Sequence, residues 1–243
     1  MSLFDLFRRK ATANEVIAAV DGVVQARLLS YTMAMVKEDD GRTRVEDAVS
    51  LAAITVAERC LDAAGDFDLR DHSLTPGARV FSDRVNVLLC GDIVSANLDD
   101  FPAESIVGVL RDRLDWQKYQ RTEFPALVDV FKYYAAHIGE PRDWGTVPLS
   151  IPAEHWPRAL PLRDGYETRP SVDEILKHLQ GDKLRGLRVA TEVLAEVLNM
   201  VADAIDHRIV LTLALEMING MAKTAPMTAK ALAQARTQPP PAQ

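Results

Sequence analysis

The sequence predicts an all-α protein, a bundle of about seven helices with one long, highly apolar helix near its centre. Three observations carry that expectation. Apolar residues recur at spacings of three and four through most of the chain. Alanine, leucine and valine supply most of a 48% hydrophobic content, with only 6% aromatics, and alanine and leucine favour helix. Capping residues and glycine stops stand at the ends of the periodic stretches. With 243 residues the chain is long enough for one sizeable core, and a single helical domain over residues 13–223 is expected.

Residues 1–12 form a short amphipathic segment, SLFDLF followed by Arg8, Arg9 and Lys10. Such a segment suits a weak surface anchor or a packed amino-terminal turn. The first helix is expected from Asn14, as its cap, to Lys37. Ile17, Val20, Val24, Leu28, Tyr31 and Met35 share one face. The turn EDDGR separates it from a second helix, expected from Thr43 to Ala64, with Val45, Val49, Ala52, Val56 and Cys60 as its stripe. The short link predicts an antiparallel pair.

Residues 65–77 read as a loop. Asp66, Asp68, Asp71 and His72 cluster there, and oxygen-rich loops hold Mg²⁺ or Ca²⁺. The glycine and the distant glutamate of an EF-hand are absent, so an acidic loop is the reading. The run GARVFSDRVNVLLCGD, 77–92, fails to alternate as a strand should. Phe81, Val85, Leu88 and Leu89 instead keep helical spacing. Ser82 or Asp83 supplies a cap and Gly91 a stop, giving a short helix from Asp83 to Cys90. Cys90 falls in its last turn, where the helix dipole disfavours a thiolate. It reads as a small buried hydrophobe.

Asp99 or Asp100 is expected to cap a helix starting near Pro102, whose face is Ile106, Val109, Leu110 and Leu114. A further helix is expected from Thr122 to Ile138, with Pro125 in its first turn. Leu127, Val128, Phe131, Tyr134 and Ile138 form its apolar face, and Tyr133, Tyr134 and His137 are candidates to line a pocket.

Regular structure is expected to stop over 139–170. Six prolines fall there, interleaved with Trp144, Trp156 and Tyr166 and with Arg142, Arg158, Arg163 and Arg169. Tryptophans argue against a disordered linker. An ordered, extended loop that wraps the bundle or meets a partner is the reading. Trp144, Trp156, Arg158 and Arg163 are its candidate partner-binding residues, since alternating aromatics and arginines grip other surfaces.

Ser171 to Glu174 has the form of a capping box, opening a short helix to about Gln180. From Asp182 to about Lys223 no proline intervenes, and a single long helix is expected. Its stretch 209–218 is apolar on almost every face. That calls for burial at the centre or in a two-fold homodimer interface. Residues 224–243, rich in proline and alanine, read as a flexible tail.

One arrangement on the long helix could carry chemistry. Glu192, Glu196, Asp203 and His207 fall at i, i+4, i+11 and i+15 with Asn199 between them. Paired carboxylates on helices hold Mg or Mn in hydrolases of phosphorylated molecules. Glu192, Glu196 and Asp203 would be the ligands. A solvated helix face has the same pattern. Phosphate loops, dinucleotide loops, serine elbows and histidine zinc motifs are all absent.

The net charge is −7, and both ends of the chain are basic, so the body between them is more acidic still. An acidic body argues against a nucleic-acid partner. Two cysteines cannot make a disulfide scaffold, and no run is long enough to span a membrane. The expectation is a non-catalytic cytoplasmic interaction protein: an adaptor, regulator or structural subunit that binds another protein, without a cofactor. A metal-dependent hydrolase is the alternative.

Overall fold

The computed structural model describes residues 12–66, 74–92, 94–95, 97–138, 146–158, 160–229 and 233. Among them eight α-helices form an all-α bundle, with no strand and two isolated β-bridges. The helices are α1 (Ala13–Met35), α2 (Val45–Ala64), α3 (Asp83–Cys90), α4 (Ile106–Arg113), α5 (Leu127–His137), α6 (Pro161–Leu176), α7 (Lys183–Val201) and α8 (His207–Met221).

The centre of the bundle is α2. It packs most extensively on α7 and α8, and also on α6 and α3. From Ala48 to Leu61 every residue is buried, including Ser50, Thr55, Glu58 and Arg59. The sequence showed only one apolar stripe here. The two charged residues are accommodated because α6 brings partners to them. Arg169 donates to both oxygens of Glu58, at 2.6 and 3.2 Å, and Arg59 reaches Asp173 at 2.6 Å.

Local chemistry explains most helix ends. Thr12, not Asn14, caps α1, in a reciprocal box with Glu15. Ser82 caps α3 and Gly91, at φ 85°, ends it, matching the expected Asp83–Cys90 span. The fourth helix starts later than expected. Leu98–Asp100 is a 3₁₀ turn, and Ser105, by accepting from Gly108 N, caps α4. Likewise Arg121–Glu123 is a 3₁₀ turn ahead of α5.

Two differences are larger. The helix expected from Asp182 to Lys223 is two helices. Asp206 accepts from the N–H groups of Arg208 and Ile209 and starts α8, so the chain turns over residues 202–206. The helix expected to open at the Ser171 box starts ten residues earlier: α6 begins at Pro161 and runs through Pro170. Leu162, Gly165, Thr168, Val172 and Ile175 are buried along one face, and that face continues on both sides of the proline. Pro170 itself is exposed, so the carbonyl deprived of a partner lies on the side open to water.

Two non-helical segments complete the core. Val147, Leu149 and Ile151 are buried in alternation. The segment is held by Tyr133 Oη donating to Leu149 O at 3.0 Å and Ser150 N donating to Glu216 at 2.8 Å. The segment Thr224–Thr228, placed in the flexible tail by composition, is buried. It lies beside residues 77–80, with Val80 N donating to Lys223 O and Ala225 N to Ala78 O.

Candidate functional site

Lys223 follows the last turn of α8. Its carbonyl is tied to Val80 N, and Thr224, next in the chain, is fully buried and accepts from Arg79. The backbone is therefore held on both sides, and the side chain must fold back along α8. There Nζ donates to Asn219 Oδ1 at 2.6 Å, one turn upstream. It lies 4.5 Å from the Phe131 ring centroid and 5.7 Å from that of Tyr134, both on α5. Lysine is rarely buried, yet Lys223 is only 8% exposed. Among the described residues it forms no ion pair with any carboxylate.

Lys223, Phe131 and Tyr134 line a cleft of about 370 Å³ between the α3 and α5 elements, near the lower end of the range for small-molecule sites. Phe131, Tyr134, Ala135 and Ile138 form one wall and Asn86 and Cys90 the other. Phe81 and Val94, both about half exposed or more, stand at the rim. The lining is mostly apolar, with Asn86 and the exposed Asp92 as further polar groups and the buried amine of Lys223 at its floor.

Burial brings the Lys223 ammonium down to about 8, because the charged form loses its hydration. The same burial pushes the Cys60 thiol up to about 12, and the Cys90 thiol upward as well. Both stay protonated near neutrality, so Cys90 contributes surface rather than a thiolate. The Tyr134 hydroxyl is buried near Arg79 and Thr224 without a well-formed hydrogen bond, and burial raises its pKa.

A second cleft, about 500 Å³, lies on the other side of α5 and includes Tyr133, Arg208, Thr212 and Glu216. Burial raises the Glu216 carboxyl, although Ser150 donates to it.

The residues singled out from sequence stand elsewhere. Trp144 lies outside the described residues, as do Asp68, Asp71 and His72. Trp156 is 48% exposed, and its Nε1 donates to Ile151 O. Arg158 pairs with Glu38 at 2.8 Å, and Arg163 faces Glu167 and Asp164. The loop is clamped to the start of α2: His155 meets Glu46, Arg44 donates to Glu154 O, and Arg158 N donates to Asp47.

The acidic stripe does not converge. Glu192 is 6% exposed and pairs with Arg113 and Arg188, while Glu196 is exposed. Asp203 lies in the turn beyond α7, with Lys118 at 3.9 Å. Asn199 holds the end of α4 through Asp115 N and Arg113 O, and His207 meets Glu123. No group of three His, Cys, Asp or Glu residues that could hold a metal occurs among the described residues. No helix among them is long and apolar enough to cross a membrane.

Tyr134 was legible as a pocket candidate, but Lys223 and Phe131 were not. The one available signal was the Asn219–Lys223 spacing, a polar pair one turn apart at the end of an apolar helix. No protein-family model, no curated protein and no solved structure matches the chain.

Proposed function

We propose that the protein acts by binding, and that it takes up a small, mostly apolar molecule in the Lys223 cleft, with a carboxylate or carbonyl oxygen of that molecule meeting the amine. The observation that carries this reading is the buried Lys223 ammonium at the floor of an apolar cleft, with no carboxylate partner among the described residues. An unpaired buried cation is costly, and a ligand oxygen would offset that cost. Ligand sites of this kind combine apolar walls with few polar groups.

A role as an adaptor for another protein, through Trp144, Trp156, Arg158 and Arg163, has thinner support. Trp156 is half exposed, but Arg158 and Arg163 are engaged by the chain's own acids. The homodimer reading rested on an apolar α8, and those residues are buried within the same chain. A hydrolase using Mg or Mn at Glu192, Glu196 and Asp203 would need those three carboxylates to meet, and Glu192 is occupied by two arginines.

The test is thermal melting with straight-chain and aromatic carboxylates of about six to ten carbons, and with their primary amides, on wild type and Lys223→Met. A probe at 100 times its dissociation constant adds about 2.7 kcal/mol, or roughly 5–10 °C for a domain of this size. The expected result is a shift in wild type that Lys223→Met loses. No shift with any probe, or an equal shift in both proteins, would sink the proposal.

A further inference from the structure

Resting on the reading that the Lys223 cleft is a ligand site, we infer that Lys223 is a covalent carbonyl-capture site, whose amine condenses reversibly with a small apolar aldehyde to form an imine.

Three features of the cleft point to carbonyl chemistry rather than to an ion pair alone. First, the residue is a lysine. A site built only to hold a carboxylate is better served by the fixed charge and two-pronged geometry of arginine, whereas a buried lysine sheds its proton readily. Second, desolvation favours the neutral amine and outweighs the ring faces and the two thiols, which favour the ammonium. The aromatic faces of Phe131 and Tyr134 and the thiols of Cys60 and Cys90 stand around it in place of water. Desolvation in an apolar pocket is a usual means of activating an amine nucleophile. The groups facing Lys223 are Asn219 on α8, Phe131 and Tyr134 on α5, and Cys60 and Cys90 from α2 and α3; Asp92 lies at the edge of the cleft. Third, Asn219 Oδ1 takes one N–H of the amine at 2.6 Å. That bond restrains the nitrogen beside the cleft while leaving its lone pair free once the ammonium has lost a proton.

The step balances without an oxidant or a reductant. The ammonium gives one proton to water. The nitrogen lone pair then bonds to the aldehyde carbon, and the carbonyl π pair moves to oxygen, which takes up a proton as the nitrogen gives up one. The carbinolamine hydroxyl takes up a second proton and leaves as water while nitrogen gives up its remaining amine proton, leaving C=N. The sum is amine plus aldehyde giving imine plus water, and hydrolysis reverses it. An apolar cleft of about 370 Å³ suits a chain or ring of modest size attached to the carbonyl.

The experiment is reductive trapping on the full chain. Hexanal and benzaldehyde are incubated with the protein in the presence of cyanoborohydride, followed by peptide mapping. The exposed Lys177 and Lys183 are internal controls. The expected result is labelling at Lys223 at least about tenfold faster than at either control at pH 7, because far more of its amine is neutral. The Lys223 rate should rise toward a plateau near pH 8–9 while the controls keep rising. Lys223→Arg should lose the adduct, and the wild-type map decides the matter even if that variant folds poorly. Labelling spread over exposed lysines with Lys223 untouched would overturn the inference. A carboxylate-induced melting shift that depends on Lys223, without trapping there, would also overturn it while leaving the binding reading in place.

Discussion

Lys223 Nζ lies 4.5 Å from the centroid of the Phe131 ring, linking the end of α8 to the middle of α5 across the floor of the cleft. The contact offsets part of the cost of burying the ammonium through the negative face of the ring. The negative end of α8 helps in the same sense. Neither replaces lost hydration, as the lowered Lys223 pKa of about 8 shows.

Lys223→Met should therefore stabilise the protein at neutral pH, by up to roughly 3 kcal/mol. The unfolded lysine titrates near 10.5 and the folded one near 8, so the unfolded state binds more protons between those values. The penalty is fully present below about pH 8 and disappears as pH rises toward 10.5. The advantage of Lys223→Met over wild type should shrink across that window in urea titrations. Cys60 and Tyr119, whose buried groups resist ionisation, lower stability of both proteins at the alkaline end, so the difference is the quantity to follow. A constant difference from pH 7 to 10 would show that Lys223 is not desolvated in the folded chain.

Gly165 on α6 faces α2 closely. A Cβ there would sit 2.5 Å from Glu58 Oε1 and 3.2 Å from Ile54 Cγ2. Glu58 cannot retreat without loosening its bonds to Arg169. Gly165→Ala should cost about 1–3 kcal/mol in chemical denaturation, the range for overpacking. Glu58→Ala should cost more, about 3–5 kcal/mol, because it leaves Arg169 and Arg59 short of an anion in the core. Equal and small effects would place both residues outside the cooperative core.

Gly220 has the same relation to the 146–151 segment. A Cβ at Gly220 would overlap the Val147 side chain. Gly220→Ala should displace the segment and cost about 1–3 kcal/mol. Because Trp156 bonds to Ile151 O, its emission should shift to the red as the segment lifts. Unchanged fluorescence with unchanged stability would contradict this packing.

Glu216→Gln tests the second cleft. Burial raises the Glu216 pKa, so the neutral acid is the form the fold favours. That stability is present below the unfolded value near 4.5 and is lost as pH rises through the folded one. Glutamine keeps an oxygen for Ser150 N and never ionises. Melting temperatures of the variant should gain on wild type as pH goes from 4 to 7. A gap that does not move with pH would mean that Glu216 is well solvated.

The fold class and the short helix α3 were legible because their causes are local. Helical spacing needs only neighbours three and four residues apart, and Ser82 and Gly91 bound α3 through atoms within the same few residues. The misplaced boundaries are those where a local signal competed with tertiary packing. Pro170 reads as a stop, but the buried face from Leu162 to Ile175 lies against α2 and holds the helix together through it. The proline-free run from Asp182 concealed the Asp206 cap, because the turn at 202–206 answers to what α7 and α8 each pack against.

The acidic stripe followed from helical arithmetic that assumed one straight helix, and the turn ends that arithmetic between Glu196 and Asp203. The cleft was beyond local reading altogether. It joins Cys90 of α3, Phe131 of α5 and Lys223 after α8, and no spacing relates positions so far apart. The sequence by itself determined that the chain would form helices and where several of them begin and end. Only the tertiary structure decided which charges are buried, because desolvation depends on all the elements packed around a group, and it is desolvation that gives Lys223 its chemistry.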